Sequence, residues 1–320
     1  MQRILLTFFL SLLLSPVFSQ EEKTSPDTVH IGIYLNSIHD IDFKQKEFNV
    51  NFWLWLKYKN KSFDFAHNLE IPNAKSFGTS YLTVDSSNDR IYMLMKVQAV
   101  MKDSWKIGNF PFDKQKLRIS IENSQYDSSA LVFKVDTVGD NYDKRYILSG
   151  WRINPDSFQM VVENRIYRTT FGDENVKKPL MKYSAFKIRI GIERDAAGLF
   201  WKMFLGMYIA FLIAFTCFFI HADGIDSRFG LSVGSLFAVI GNKYIIDSSL
   251  PESTSFTLVD SLHGLTLFSI FIVITATAYS LRLVKRNKIE TARRFDKITA
   301  FSLLVFYIIM NTWLIYQASH

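Results

Sequence analysis

The sequence predicts an all-β extracellular sandwich followed by an all-α four-helix transmembrane bundle. Three observations predict it. Apolar residues recur at every second position through much of 28–194, the signature of half-buried strands. After Arg194-Asp195 the texture changes to apolar runs of about 20 residues, the length that spans a bilayer. A dense basic stretch sits between two of those runs, where the positive-inside rule expects cytoplasm.

Composition narrows the class. The formal charge is +7, and the excess is local. The stretch Arg282–Lys297 holds seven Lys/Arg against Glu290 and Asp296. A basic patch beside apolar helices points to membrane topology rather than to nucleic acid, so no nucleic-acid partner is expected. Cys217 is the single cysteine, which excludes a disulfide framework within one chain. No cofactor and no metal site is expected.

In chain order, Met1–Ser19 reads as a secretory signal. Arg3 supplies the positive start, Ile4–Leu14 the apolar run, and Val17-Phe18-Ser19 small residues for cleavage. The next domain, 20–199, is then outside the cytoplasm. Within it Val50, Phe52, Leu54, Leu56 and Tyr58 fall on one strand face, with Asn51, Trp53, Trp55 and Lys57 on the other. Leu117, Ile119 and Ile121 alternate with polar residues, as do Phe186, Ile188, Ile190 and Ile192. Pro72-Asn73, Ser86–Asp89, Gly139–Asn141, Asn154–Asp156 and Gly172-Asp173 supply turns, so the strands are antiparallel and sandwich-like.

The membrane domain, 200–320, is expected to hold helices at about 201–220, 227–247, 258–283 and 298–316. The second is unlike the others. Gly230, Ser232, Gly234, Ser235, Gly241, Asn242 and Lys243 make it too polar for lipid and too apolar for a loop. Such a helix belongs inside a bundle or beside water. With residue 20 outside, four crossings put the basic stretch in the cytoplasm. Signal and charge bias agree independently.

Between two strand-like runs lies Phe110-Pro111-Phe112-Asp113-Lys114-Gln115. Proline fixes its own φ and biases the preceding residue toward extended backbone. A proline between two phenylalanines is a rigid apolar tip, suited to docking onto a membrane-facing surface.

These features together resemble the pentameric ligand-gated ion channels: a secreted β-sandwich, an FPFD-x-Q loop and four helices with a polar second one. The resemblance runs from about His30 to the end and is nearest to the prokaryotic type. No cysteines flank Phe110–Gln115, and the third and fourth helices are joined by a short basic link. Glu193-Arg194 resembles the basic residue before the first helix. Arg228 and Pro251 bracket the second helix, and Phe256–Asp260 is similar to the start of the third. There are departures: Tyr58-Lys59-Asn60 stands where the family has Trp-x-Asp, and the first helix lacks a proline, with Gly206 in that region.

The resemblance implies a homopentamer in the inner cell membrane, embedded in the lipid bilayer, passing inorganic ions in response to a small-molecule or ionic agonist. Carried over from Arg228 and Pro251, its pore-facing positions are Gly230, Gly234, Phe237, Gly241 and Tyr244, extended by Asp226 and Ser248. They share one helical face. Phe237 and Tyr244 would form the constriction, and an Asp226 ring at the cytoplasmic mouth would favour cations. A plainer pattern turns the Ser232, Ser235 and Asn242 face to water. Under that reading the glycines serve close helix packing. Lys243 lies about 120° round the helix from Phe237 and is placed to pair with Asp247 one turn on. For ligand binding the resemblance implies Trp53, Tyr126, Tyr167 and Tyr183, an aromatic set that attracts a cationic amine. Coupling between the halves would run through Asp42, Phe110, Pro111, Phe112, Asp113, Arg194 and Pro251, with Asp113 or Asp42 bridged to Arg194.

Two other classes fit less well. An enzyme would have to use His221, Asp223, Asp226 and His263, which the topology places on opposite sides of the membrane. A non-conducting receptor or scaffold of the same fold would explain the three glycines and the altered Trp-x-Asp.

Overall fold

The computed structural model describes residues 25–87, 89–137, 139–143, 150–172, 174 and 180–319. The expected signal Met1–Ser19 and the turn residues Asn88 and Asp173 lie outside them. Among the described residues ten strands come first: β1 Asp27–Asp42, β2 Glu47–Tyr58, β3 Leu69–Glu70, β4 Ala74–Asp85, β5 Ile91–Lys102, β6 Lys114–Asn123, β7 Leu131–Val135, β8 Trp151–Ile153, β9 Gln159–Tyr167 and β10 Met181–Arg194. A one-turn helix, Phe65–Asn68, precedes β3. Four long helices follow: α1 Ala196–Phe215, α2 Ile225–Ser249, α3 Leu258–Lys285 and α4 Ile289–Ser319. All four are long and apolar enough to cross a membrane.

One sheet runs β4-β5-β2-β1-β7; the other runs β3-β6-β10-β8, with β9 also on β10. Pairing is antiparallel except between β1 and β7. The period-two reading holds. Phe48, Val50, Phe52, Leu54, Leu56 and Tyr58 all point inward from β2, opposite Leu117, Ile119 and Ile121 of β6 and Phe186, Ile188, Ile190 and Ile192 of β10. One apolar core joins the two sheets and continues into the outer ends of the helices. At about 25 cal/mol per Å2 of apolar surface, this burial is the main force holding both sheets together.

The helices begin and end where local chemistry dictates. Thr257 and Asp260 form a reciprocal capping box: the Thr257 hydroxyl accepts from the Asp260 N–H, and the Asp260 carboxylate accepts from the Thr257 N–H. From there α3 buries Leu262, Thr266, Ile270, Val273, Thr277 and Ser280, one stripe at helical spacing.

The fourth helix differs from expectation. It starts at Ile289 rather than near 298, so most of the basic stretch is helical, and the link to α3 shrinks to a turn through Asn287 at φ 59°. Ala292 and Asp296 are buried on this extension, while Arg293 and Arg294 face out. The cations that read as a loop are the solvent side of an amphipathic helix end. The first helix likewise starts at Ala196, five residues ahead of the apolar run, and ends in a 3-10 turn over Thr216–Phe219.

Candidate functional site

Four places carry the chemistry, and they lie on different levels of the molecule. The first is the uncovered face of α2. Asp226, Gly230, Gly234, Phe237, Gly241, Tyr244 and Ser248 are all exposed on the chain, Phe237 at 66% and Tyr244 at 76%. The opposite face is packed: Arg228, Ser232, Ser235, Val239 and Ile246 are buried. An added Cβ at Gly230, Gly234 or Gly241 meets nothing within 4 Å. These glycines therefore do not serve close packing inside this chain. The face proposed by the plainer pattern is turned inward instead. Ser232 donates back to the Arg228 carbonyl at 2.5 Å, a mid-helix bond available to serine and threonine. Asn242 donates to the Met203 carbonyl of α1 at 3.1 Å and meets His263 Nε2 of α3 at 3.0 Å. Lys243 pairs with Asp247 at 2.5 Å and also with Asp260 of α3 at 2.8 Å.

The second place is the junction of the two halves. The loop 108–115 reaches both α1 and α3. Phe112 packs on Phe200 of α1, ring centroids 5.6 Å apart, and the Gly108 carbonyl accepts from the Leu258 N–H at the start of α3 at 2.8 Å. Pro111 is buried, and its bond to Phe110 is cis. Arg194, the last residue of β10, donates from Nε to Asp113 Oδ1 at 2.7 Å. The pair is buried, with Asp113 1% and Arg194 11% exposed in the side chain. Gln115 donates to the second Asp113 oxygen at 2.7 Å. The rings of Phe43, Phe110 and Trp151 lie 4.7, 4.9 and 4.1 Å from the guanidinium carbon, so the cation is caged by aromatic faces.

Of the two expected partners of Arg194, the structure selects Asp113. Asp42 is exposed and accepts from the Gln45 N–H in its own turn. The cage residues Phe43 and Trp151 carried no sequence signal beyond being aromatic. Pro251 is buried beyond the end of α2. A cavity of about 690 Å3 opens at this level, lined among others by Asp42, Phe110, Arg194, Lys202, Asn242 and Ile246.

The third place is the far end of the second sheet. Tyr167 on β9 and Tyr183 on β10 meet edge to face at 5.7 Å. The Tyr167 hydroxyl donates to Glu122 Oε2 of β6 at 2.9 Å. Arg165 Nη1 donates to Glu122 Oε1 at 3.2 Å, and its guanidinium lies 4.8 Å from the Tyr167 ring centroid. Burial, the bond to Glu122 and the nearby carboxylate charge push the Tyr167 phenol well above its ordinary value. Burial and the charge of Glu122 push Glu70, paired beside it on β3, upward too.

The other expected ligand residues are elsewhere. Trp53 lies on the outer face of β2 with Tyr81 at 6.1 Å. Tyr126 packs on Phe63 at 4.8 Å and donates to the Ser62 carbonyl, which ties it to the core. The sequence reading missed Glu122 and Arg165. The burial alternation of β6 breaks at its last residues, so an inward carboxylate there left no pattern to find.

The fourth place is the inner end of the bundle. Arg228 of α2, 1% exposed, donates from Nη2 to Asp296 Oδ2 of α4 at 2.8 Å. Ser280 of α3 donates to the same oxygen at 3.0 Å, and Nη2 also donates to the Ile220 carbonyl at 2.5 Å. His221 and Asp223 pair with each other in the loop before α2, and His263 lies buried in α3.

No family model matches the chain. It is similar to a proton-gated ion channel of Gloeobacter violaceus, 23% identical over 325 aligned positions that take in 92% of this chain and 85% of that protein. That similarity, over a β domain in two sheets and four apolar helices, bears out the resemblance to the pentameric ligand-gated channels. The chain is a multi-pass membrane protein with its β domain on the extracellular side. The relative is an ion channel, which agrees with a non-enzyme.

Proposed function

We propose that the chain is one subunit of a homopentameric ligand-gated channel that conducts cations. Its α2 helices line the pore, and its agonist binds at extracellular subunit interfaces. The uncovered face of α2 carries this reading. It is the least apolar of the four spans, and its own chain covers the opposite side. A face with Asp226 at one end, Ser248 at the other and three glycines between is poorly suited to lipid. Around a symmetry axis it would line water, with Phe237 and Tyr244 as the narrow rings and Asp226 as the acidic mouth. The junction supplies the coupling, because Phe112 packs on α1, the Arg194–Asp113 pair ties the FPFD loop to the strand that leads into α1, and the loop carbonyl of Gly108 caps α3.

The test is recording from purified protein in planar bilayers while amines, protons and divalent ions are screened. Phe237→Ser is expected to wet the constriction and raise resting current. Asp226→Lys is expected to move the reversal potential toward anions. A folded Phe237→Ser protein without leak, together with unchanged selectivity in Asp226→Lys, overturns the pore assignment. A parent that forms a pentamer yet passes no current under any agonist points to a receptor of the same fold.

A further inference from the structure

Glu122 is a carboxylate 2% exposed in its side chain and bonded by Tyr167, whose ring meets Tyr183 edge to face. A buried carboxylate beside an aromatic face is, by elementary chemistry, a seat for a cation. Here the seat is filled from within. Arg165 sets its guanidinium 4.8 Å from the Tyr167 ring centroid and bonds Glu122 Oε1, while Tyr167 and Ser120 also donate to the carboxylate at 2.9 and 3.2 Å. We propose that Arg165 is a built-in occupant of this cation seat and the residue that sets its specificity, excluding small primary amines that the aromatic and acidic lining would otherwise bind. The inference deepens the reading of Tyr167 and Tyr183 as ligand-binding residues and rests on it for its functional meaning.

The surroundings hold Arg165 where it is. Arg165 itself lines a cavity of about 490 Å3 whose other cations are already paired, Lys102 with Glu47, Arg118 with Asp103, and Lys187 and Arg189 with Glu163. Each of those acids is engaged by another cation, so none of them draws the guanidinium away from Glu122. Glu70 pairs with Glu122 across the β3–β6 ladder. With Arg165 present, two carboxylates face one cation. Without it, both face the tyrosines with none. Removing the arginine head therefore exposes an acidic aromatic site that a cation of similar size can enter.

The experiment is calorimetry on the full-length protein in detergent, with propylamine and methylguanidinium as probes. The parent is expected to bind propylamine at least ten-fold more weakly than Arg165→Ala. Methylguanidinium, which replaces the deleted head, is expected to bind Arg165→Ala and raise its melting temperature. Glu122→Gln added to Arg165→Ala is expected to abolish both effects. Equal propylamine affinity in parent and Arg165→Ala overturns the proposal, and so does binding that survives loss of Glu122. If Arg165→Ala does not fold alone, purification in methylguanidinium decides: recovery of folded protein supports the seat, and no recovery overturns it. None of these readouts depends on conductance, so a failure here is separable from a failure of the channel reading.

Discussion

Two arginine–aspartate pairs flank the helical half, one in the β domain just before the first helix and one at the bundle's inner end, and they are built differently. At the outer end both Asp113 oxygens are engaged, and Arg194 bonds them through Nε and Nη2. Three aromatic rings cage the cation, and Gln115 takes the second carboxylate oxygen. At the inner end Arg228 and Asp296 are as deeply buried, but Nη1 of Arg228 and Oδ1 of Asp296 have no hydrogen-bond partner among the described residues. A buried ion pair is worth its desolvation only when the remaining donors and acceptors are met. The outer pair is thus a fixed point between the sandwich and the membrane. The inner pair, joining α2 to α4, is the easier of the two to rearrange.

The largest expected effect comes from breaking the inner pair one-sidedly. Asp296→Ala leaves the Arg228 guanidinium buried with only the Ile220 carbonyl, at a cost of about 3–5 kcal/mol. The expected outcome is loss of assembled protein in size-exclusion chromatography. Replacing both partners with apolar residues, Arg228→Met with Asp296→Leu, should recover most of it, because the pair contributes little net stability. An Asp296→Ala protein that assembles and melts like the parent would show that the pair is not buried as described.

Next in size is Arg194→Lys at the outer end. The charge is kept, but a lysine has no flat guanidinium to lie against Phe43, Phe110 and Trp151 and cannot reach Asp113 with two nitrogens. The expected loss is about 1–2 kcal/mol, the range for a desolvated cation on aromatic faces. It should be read as a lower melting temperature and, under the proposed channel function, as a weaker response to agonist. A variant that melts and gates like the parent would remove the cage from the coupling route.

The two pairs also differ in how visible they were. Arg194 and Asp113 stand at recognisable positions, one before the first helix and one in the FPFD loop, so the choice narrowed to two aspartates. Arg228 and Asp296 are 68 residues apart, and Asp296 lay in a stretch whose seven cations read as a loop. Strand alternation exposed the sandwich because period two is set by backbone geometry. The length of α4 stayed hidden because the helix leaves the apolar layer and its outer face becomes polar. Which face of α2 is packed was equally illegible. Serine and asparagine look like water-facing residues until Ser232 is seen bonding its own helix and Asn242 its neighbours.

The smallest effect sharpens the contrast between buried and surface pairs. Hydrogen bonds from Lys187 and then Arg189 hold the Glu163 carboxylate below its usual range. Its side chain is 41% exposed, so screening limits the stabilisation to under about 1 kcal/mol. A depressed carboxylate stabilises the fold above its unfolded value, about 4.3, and that contribution fades as pH falls through the lower folded value. Glu163→Gln should therefore melt slightly below the parent at pH 7. The gap should close in the acid range below about pH 4. It should also shrink at about 1 M salt, where the screening length falls to about 3 Å. The Asp296→Ala defect should ignore salt, because both of its partners are buried. A Glu163→Gln gap that persists unchanged in acid and in salt would mean that the loss comes from an amide NH2 facing the Lys187 or Arg189 donor, not from the missing charge.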